Sequence, residues 1–442
     1  MARLLFTVWP YPTHLDPFIA LAQTMRARGH DVAFYTGGGA LPVLAREGFH
    51  CFPFREVVWD RVARTVDDLI AGRKRPSQMR RLWPQFLVAT VPAQVRDLDQ
   101  VLRAWQPAAL VCDIALWAPI LVLRERHCLP VAAFSHVAHC ILPGPEGPIQ
   151  GMALPRRRGA WQTAFGGIAA IAARLVTART RRRANALRRG FGLAPLSRSI
   201  NAYTGTLPLY LVPGAPEFDN NRQDLPPSVH YVGPCLWDKP AGQPPPDWLP
   251  DLPKDRPVVL VEEGALFTHE PRVLELAARS LAWLPLTVVL LAGKGRDPGR
   301  TGIRTTAPNV ILKPHAPLSD VLPLASALIT NGNSESVLAA LQAGLPTVVL
   351  PSIWDQAEMA WRVQETGVGL RLSPWHASPK SMRKAVCRVL DDPVYRANAQ
   401  RMGAILAGYG GPRRAAECIE ALLEAKSPPD PAPHPSPVAG TR

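Results

Sequence analysis

The chain has 442 residues, 47% of them apolar and 19% charged, with a formal net charge of +15 carried mainly by arginine. That length suggests two or three domains, and that composition excludes a chain disordered along most of its length. The charge fits an anionic partner or, in part, a solvated surface; the basic runs carry no interleaved aromatics and no nucleic-acid motif, so nucleic acid is not expected.

Leu4–Val8 reads as a short buried strand. A loop through His14 leads to a helix over Pro17–Arg28, with Phe18, Leu21, Ala22 and Met25 on one face and Gly29 as its stop. Asp31–Tyr35 reads as a second strand and Ala40–Glu47 as a second helix. The pattern returns as Ala108–Cys112 (strand), Leu116–Arg126 (helix) and Val131–Ser135 (strand). Alternating strands and helices predict a parallel, doubly wound sheet, with ligands at the carboxyl ends of its strands. His14, Asp113 and Ser135 should therefore share one rim.

Residues 155–190 are rich in Ala and Arg and helical in pattern. The clusters Arg156–Arg158, Arg181–Arg183 and Arg188–Arg189 accompany Trp161, Phe165, Ile168, Ile171 and Leu175. This stretch is either a helical insertion with a solvated basic face or an interfacial helix touching anionic lipid. Residues 213–256 are rich in Pro, Asn and Asp and read as a linker. A second α/β series follows: Val258–Val261, a helix over Glu270–Trp283, Thr287–Ala292, Val310–Leu312, Ala327–Thr330, a helix over Ser334–Ala343, and Thr347–Leu350.

The expected architecture is α/β, with two Rossmann-like doubly wound parallel-sheet domains facing a cleft. The division is 1–215 for the first domain, 216–256 for the linker and 257–405 for the second. A C-terminal helix over 406–425 and a disordered Pro-rich tail over 426–442 complete it. Seven scattered cysteines without a C-x-x-C pair indicate a reducing compartment. The first residues lack a signal-peptide pattern, and no apolar run reaches the ~18 residues of a membrane span. A cytoplasmic protein is expected, with membrane association left open through 156–190.

The segment from His315 to Leu372 is the most informative. Asn331-Gly332-Asn333-Ser334 forms a tight turn from strand into helix, where backbone N–H groups and the helix dipole bind phosphate. Ser334 and Ser336 add hydroxyls. After Gly344 and Pro346, a strand leads to Asp355 and Gln356, a carboxylate and an amide suited to sugar hydroxyls. In this order of motifs the chain resembles the family 1, UGT-like glycosyltransferases, particularly their bacterial macrolide and natural-product branch. The frame aligns without gaps from Asp320 to Leu372. THLDPFIALAQTMRARGHDVAF (13–34) is similar to the family's opening, HYVGP (230–234) to its pre-linker strand, and Asp392–Leu423 to its C-terminal helices.

The resemblance implies the two-domain GT-B fold and a set of roles. The Asn331–Ser336 turn (Asn331, Gly332, Asn333, Ser334, Ser336) would hold a diphosphate, and Asp355 and Gln356 the donor sugar. His315 would lie against the nucleobase, and the loop at Gly264 would approach the phosphates. His14 would be the catalytic base and Asp113 its acidic partner, while Ser135 and His136 would line the acceptor pocket. Four positions depart from the family pattern. Asn331 stands for a phosphate-contacting His, Asn333 for a Gly, Ala339 for a ribose-binding Glu, and Leu318 for a Gln beside the nucleobase.

The implied chemistry is inverting and metal-independent: His14 takes the acceptor's proton as its hydroxyl attacks the anomeric carbon. Asp113 fixes the ring's tautomer. The co-substrate would be a UDP- or TDP-linked sugar, with no other cofactor and no metal, and the acceptor a small lipophilic alcohol or phenol. Two alternatives stand beside this: a catalytically impaired homologue acting as a binding or auxiliary partner, and a nucleotide-sugar epimerase. His14 as a loop residue capping the next helix, and Asp113 as a helix N-cap, are the structural alternatives to catalysis.

Overall fold

The computed structural model of the chain describes residues 1–70, 87–135, 143, 178–219, 225–264, 271–294, 296–352 and 355–425. Two wholly parallel sheets organise them. The first comprises β1 (Arg3–Thr7), β2 (Asp31–Thr36), β3 (His50–Pro53), β4 (Ala109–Asp113), β5 (Val131–Phe134), β6 (Leu209–Val212) and β7 (Val229–Tyr231). Their order is β3-β2-β1-β4-β5-β6-β7. The second comprises β8 (Val258–Glu262), β9 (Thr287–Leu291), β10 (Val310–Lys313), β11 (Ala327–Thr330), β12 (Thr347–Val349) and β13 (Gly369–Arg371), in the order β10-β9-β8-β11-β12-β13. These are the two Rossmann-like sheets expected of GT-B. Both reverse direction beside their first strand, where β1 meets β4 and β8 meets β11. Such a reversal opens a crevice at the carboxyl ends of the strands. Buried on both faces, the central strands read as unbroken apolar runs: Leu4–Phe6 and Val259–Val261 are essentially inaccessible.

Four helices position the site: α1 (Pro12–Ala27), α2 (Ser334–Gln342), α3 (Gln356–Glu365) and α4 (Pro412–Glu424). α1 starts five residues before the expected Pro17. Pro12 occupies its first turn, where a missing N–H costs nothing and φ is preset. Pro17 lies inside the helix, so His14 belongs to its first turn and not to a loop. Asp113 closes β4 instead of following it. The helix expected over Leu116–Arg126 is a π-helical turn, Pro119–Leu123, followed by one short turn, Arg124–Arg126.

β7 falls within the stretch expected as linker and forms the edge of the first sheet, paired to β6. α4 returns to the first lobe, packing Ala415, Ala416 and Ile419 into a core with Phe18, Leu21 and Trp237. Glu420 on α4 receives Arg28 Nε at 2.8 Å and His30 Nε2 at 3.1 Å.

Of the basic stretch 156–190, residues 178–190 are described, and they are helical. Arg188 there is neither solvated nor at a lipid surface. It is 2% exposed and donates to Glu125, Leu121 O and Ala194 O. The rest of that stretch, and the tail from 426, lie outside the described residues. Among the described residues no helix is long and apolar enough to cross a membrane.

Candidate functional site

β1 and β4 are neighbours, so the segments leaving their carboxyl ends meet on one rim. β1 feeds the first turn of α1 and hence His14, while β4 ends at Asp113. The two side chains touch: His14 Nδ1 lies 2.6 Å from Asp113 Oδ2. Asp113 is fully buried and accepts two further backbone bonds, from Ala115 N at 2.8 Å and Trp9 N at 3.4 Å. Three donors thus fix the carboxylate. With Nδ1 donating to it, the neutral ring carries its lone pair on Nε2. Asp113 serves no helix as an N-cap, and Tyr11, not His14, is the N-cap of α1. Beside the ring stand Tyr11, 5.9 Å away between centroids, and Trp59, 5.0 Å from Tyr11.

On the opposite lobe, β11 runs through Asn331-Gly332-Asn333 into α2. Gly332 sits at φ +91, a conformation open to glycine. Three of the backbone donors at the bend and helix start are engaged internally, where the sequence reading expected them free. Gly332 N donates to Thr330 Oγ1 at 3.2 Å, Asn333 N to Asn331 Oδ1 at 3.2 Å, and Glu335 N to Asn333 Oδ1 at 3.0 Å. The physical reason is that short Asn and Thr side chains reach their own backbone two residues on. Asn331 Nδ2 is also engaged, donating to Glu263 O at 2.5 Å.

The bend borders a cavity between the lobes. Pro12, Thr13 and Asp16 of α1 form one wall; Gly264, Lys294, His315, Leu318, Asn333, Glu335 and Ser336 line the other, with Asp238, Glu262 and Glu263. Its volume is about 90 Å³. Small-ligand sites usually measure roughly 300–1,000 Å³, so the cavity as it stands is smaller than such a site. The electrostatics are acidic. Burial pushes Asp16 up to about 7, against the pull of Lys294. Burial likewise raises Glu263 to about 7, and raises Glu262. Glu335 stands well above the usual range through desolvation and the nearby Asp16, Asp238 and Glu262. His315 is lowered by burial and then by Lys294.

The chain is similar to known proteins. Residues 288–422 match the family described as erythromycin biosynthesis protein CIII-like, C-terminal domain. The 4'-demethylrebeccamycin synthase of Lentzea aerocolonigenes is 29% identical over 96% of this chain and 100% of its own length. The demethyllactenocin mycarosyltransferase of Streptomyces fradiae is 23% identical over 96% of this chain and 87% of its own. In fold, the chain is similar to the calicheamicin glycosyltransferase CalG4, with a TM-score of 0.71 and 24% identity over 97% and 100% of the two chains. The spinosyn rhamnosyltransferase SpnG, solved with thymidine diphosphate, overlays with a TM-score of 0.68 at 19% identity over 96% and 100%. The chain is a glycosyltransferase of the GT-B fold.

In this glycosyltransferase the expected residues fall into three groups. His14 and Asp113 form one pair. Gly264, His315, Asn333 and Ser336 line one cavity. Gly264 (φ +70) passes so close to the bend that an added Cβ would lie 3.2 Å from Asn333 Nδ2. Asn331, Gly332 and Ser334 are buried behind that wall, and Ser334 Oγ donates to Asp355 Oδ2 at 2.9 Å. Gln356 Oε1 accepts from Ser352 N and Oγ, at 3.0 and 2.8 Å. Ser135, after β5, is wholly buried, its N–H donating to Leu211 O. His136 lies outside the described residues. The sequence reading missed Asp238, Glu262, Glu263, Lys294 and Glu335. The available signal was position, since Glu262 ends β8, Glu263 follows it, Lys294 follows β9 by three residues, and Glu335 opens α2.

Proposed function

We propose that this glycosyltransferase moves a sugar, with inversion and without a metal ion, from a UDP- or TDP-linked donor to a hydroxyl of a small lipophilic acceptor. The observation that carries this reading is the part-buried 2.6 Å contact of His14 with Asp113 at the carboxyl end of the first sheet. Nε2 of His14 takes the acceptor proton as the oxygen attacks the anomeric carbon. Asp113 holds the ring and stabilises the imidazolium that forms. Tyr11 and Trp59 give the acceptor an apolar flank. The cavity from Gly264 to Ser336 takes the nucleoside diphosphate, with His315 beside the base. Asp355 and Gln356, next to the bend, take the sugar.

The three engaged N–H groups shift the burden of anion binding off the bend itself. Opening of the lobes to admit the donor, and closure over it, would exclude water from the transfer. With a donor and acceptor pair that the wild type turns over, His14→Ala should lose at least ~100-fold in kcat while donor affinity stays within about twofold. Asp113→Asn should also lower kcat, by leaving the ring in the wrong tautomer. Steady-state kinetics with calorimetric donor binding measures both. Turnover unchanged in His14→Ala would remove the dyad from the mechanism.

A further inference from the structure

Among the described residues, the cavity between the lobes holds five carboxyl groups and one ammonium, Lys294. Three of the carboxyls are committed to their own surroundings. Asp238 accepts from Ser319 N and Oγ at 2.7 and 2.9 Å. Glu262 accepts from Gly264 N at 2.6 Å and Thr330 Oγ1 at 2.5 Å. Glu263 accepts from Val273 N at 2.7 Å. Asp16 and Glu335, from opposite lobes, have no hydrogen-bond partner among the described residues, and the charge of Lys294 bears on both.

Lys294 is placed by the sheet. β9 lies beside β8, so the loop leaving β9 runs against Gly264 at the end of β8. Gly293 makes the turn at φ +100, with Gly264 O 3.7 Å from where its Cβ would be. The ammonium then stands 5.8 Å from the centre of the Trp237 ring.

A diphosphate bound here needs a positive partner. Neither asparagine of the bend carries charge, and both are engaged with backbone. We propose that Lys294 is the cation that receives the donor's diphosphate, leaving Asp16 and Glu335 to approach it as the nucleotide enters. A lysine suits the task, because its compact ammonium has three rotatable donors able to follow phosphate oxygens as the lobes move. The inference rests on the donor reading of this cavity and adds the residue that supplies its charge.

The test compares wild type, Lys294→Met and Lys294→Arg. Binding of UDP and TDP is measured by calorimetry, and binding of uridine and thymidine by ligand-observed NMR. Lys294→Met should weaken the preferred diphosphate about tenfold or more, as expected for one charge-assisted contact. Its nucleoside binding should stay near wild type, and Lys294→Arg should retain most of the diphosphate affinity. Equal diphosphate affinity in wild type and Lys294→Met overturns the assignment. An equal loss of nucleoside and diphosphate also overturns it, because that makes Lys294 a structural residue. Wild type that binds neither UDP nor TDP overturns the donor reading itself. Melting temperatures of all three proteins confirm folding.

Discussion

Burying a carboxyl group between two lobes leaves a signature in stability. Asp16 is 7% exposed, and burial holds its carboxyl at about 7 against an ordinary 3.8. Below pH 3.8 the group is neutral whether the chain is folded or unfolded, and the shift has no effect. As pH rises from there to about 7 the unfolded chain ionises and the folded one does not, so stability drains away; above about 7 the loss is constant. Asp16→Asn should therefore match wild type near pH 4 and exceed it increasingly up to pH 7–8, by as much as about 4 kcal/mol for a shift of that size. Urea denaturation at several pH values checks this, and a difference independent of pH would mean that Asp16 ionises freely in the cleft. His14 and Asp113 were legible in the sequence because each follows from where one strand ends. Asp16 was legible only as a neighbour of His14. Lys294 and Glu335 were legible only by position, beside a strand end and at a helix start, since their surroundings come partly from the other lobe.

At the scale of elements, spacing located the strand–bend–helix unit around Gly332 but said nothing of what its donors bind. That outcome is a local competition: the Asn side chains reach the backbone first. The start of α1 was misplaced for a similar reason. Pro12 and Pro17 both fit a helix start, and the run of apolar residues after Pro17 favoured the wrong one, whereas only Pro12 is free of a required N–H. The bend's geometry gives a sharper test. A Cβ on Gly332 would sit 2.8 Å from Val349 Cγ1 and 3.1 Å from Gln356 O, on a backbone already at φ +91. Gly332→Ala should cost about 1–3 kcal/mol of stability. Gly38 meets nothing within 4 Å, and Gly38→Ala should change stability by less than about 0.5 kcal/mol. Denaturant melts of the pair check this, and similar values for both would show that the bend relaxes without strain.

At the scale of the molecule, the two-lobe plan was readable because strand and helix periods alternate twice around a Pro-rich interval. The return of α4 to the first lobe was not. An amphipathic pattern tells that one helix face is covered, but not by which lobe. Here Ala415, Ala416 and Ile419 complete a core whose other members include residues of β1, β2, β4, β5, β6 and α1 and the segment holding Cys235 and Trp237. α4 therefore acts as a strap: the chain leaves the first lobe after β7, builds the second, and closes back over α1. Ending the chain at Gly411 removes that cover. Loss of Ile419 and the two alanines should cost the first lobe roughly 3 kcal/mol. The ion pair of Arg28 with Glu420 adds little, because it is only partly shielded from water. Hydrogen exchange by mass spectrometry should then show faster exchange in α1 and β1, with β8, β9 and β11 protected as before. Glu420→Ala, by contrast, should exchange like wild type. Equal acceleration in both lobes of the truncated chain would mean that they unfold as one unit, and α4 would not be a separable strap.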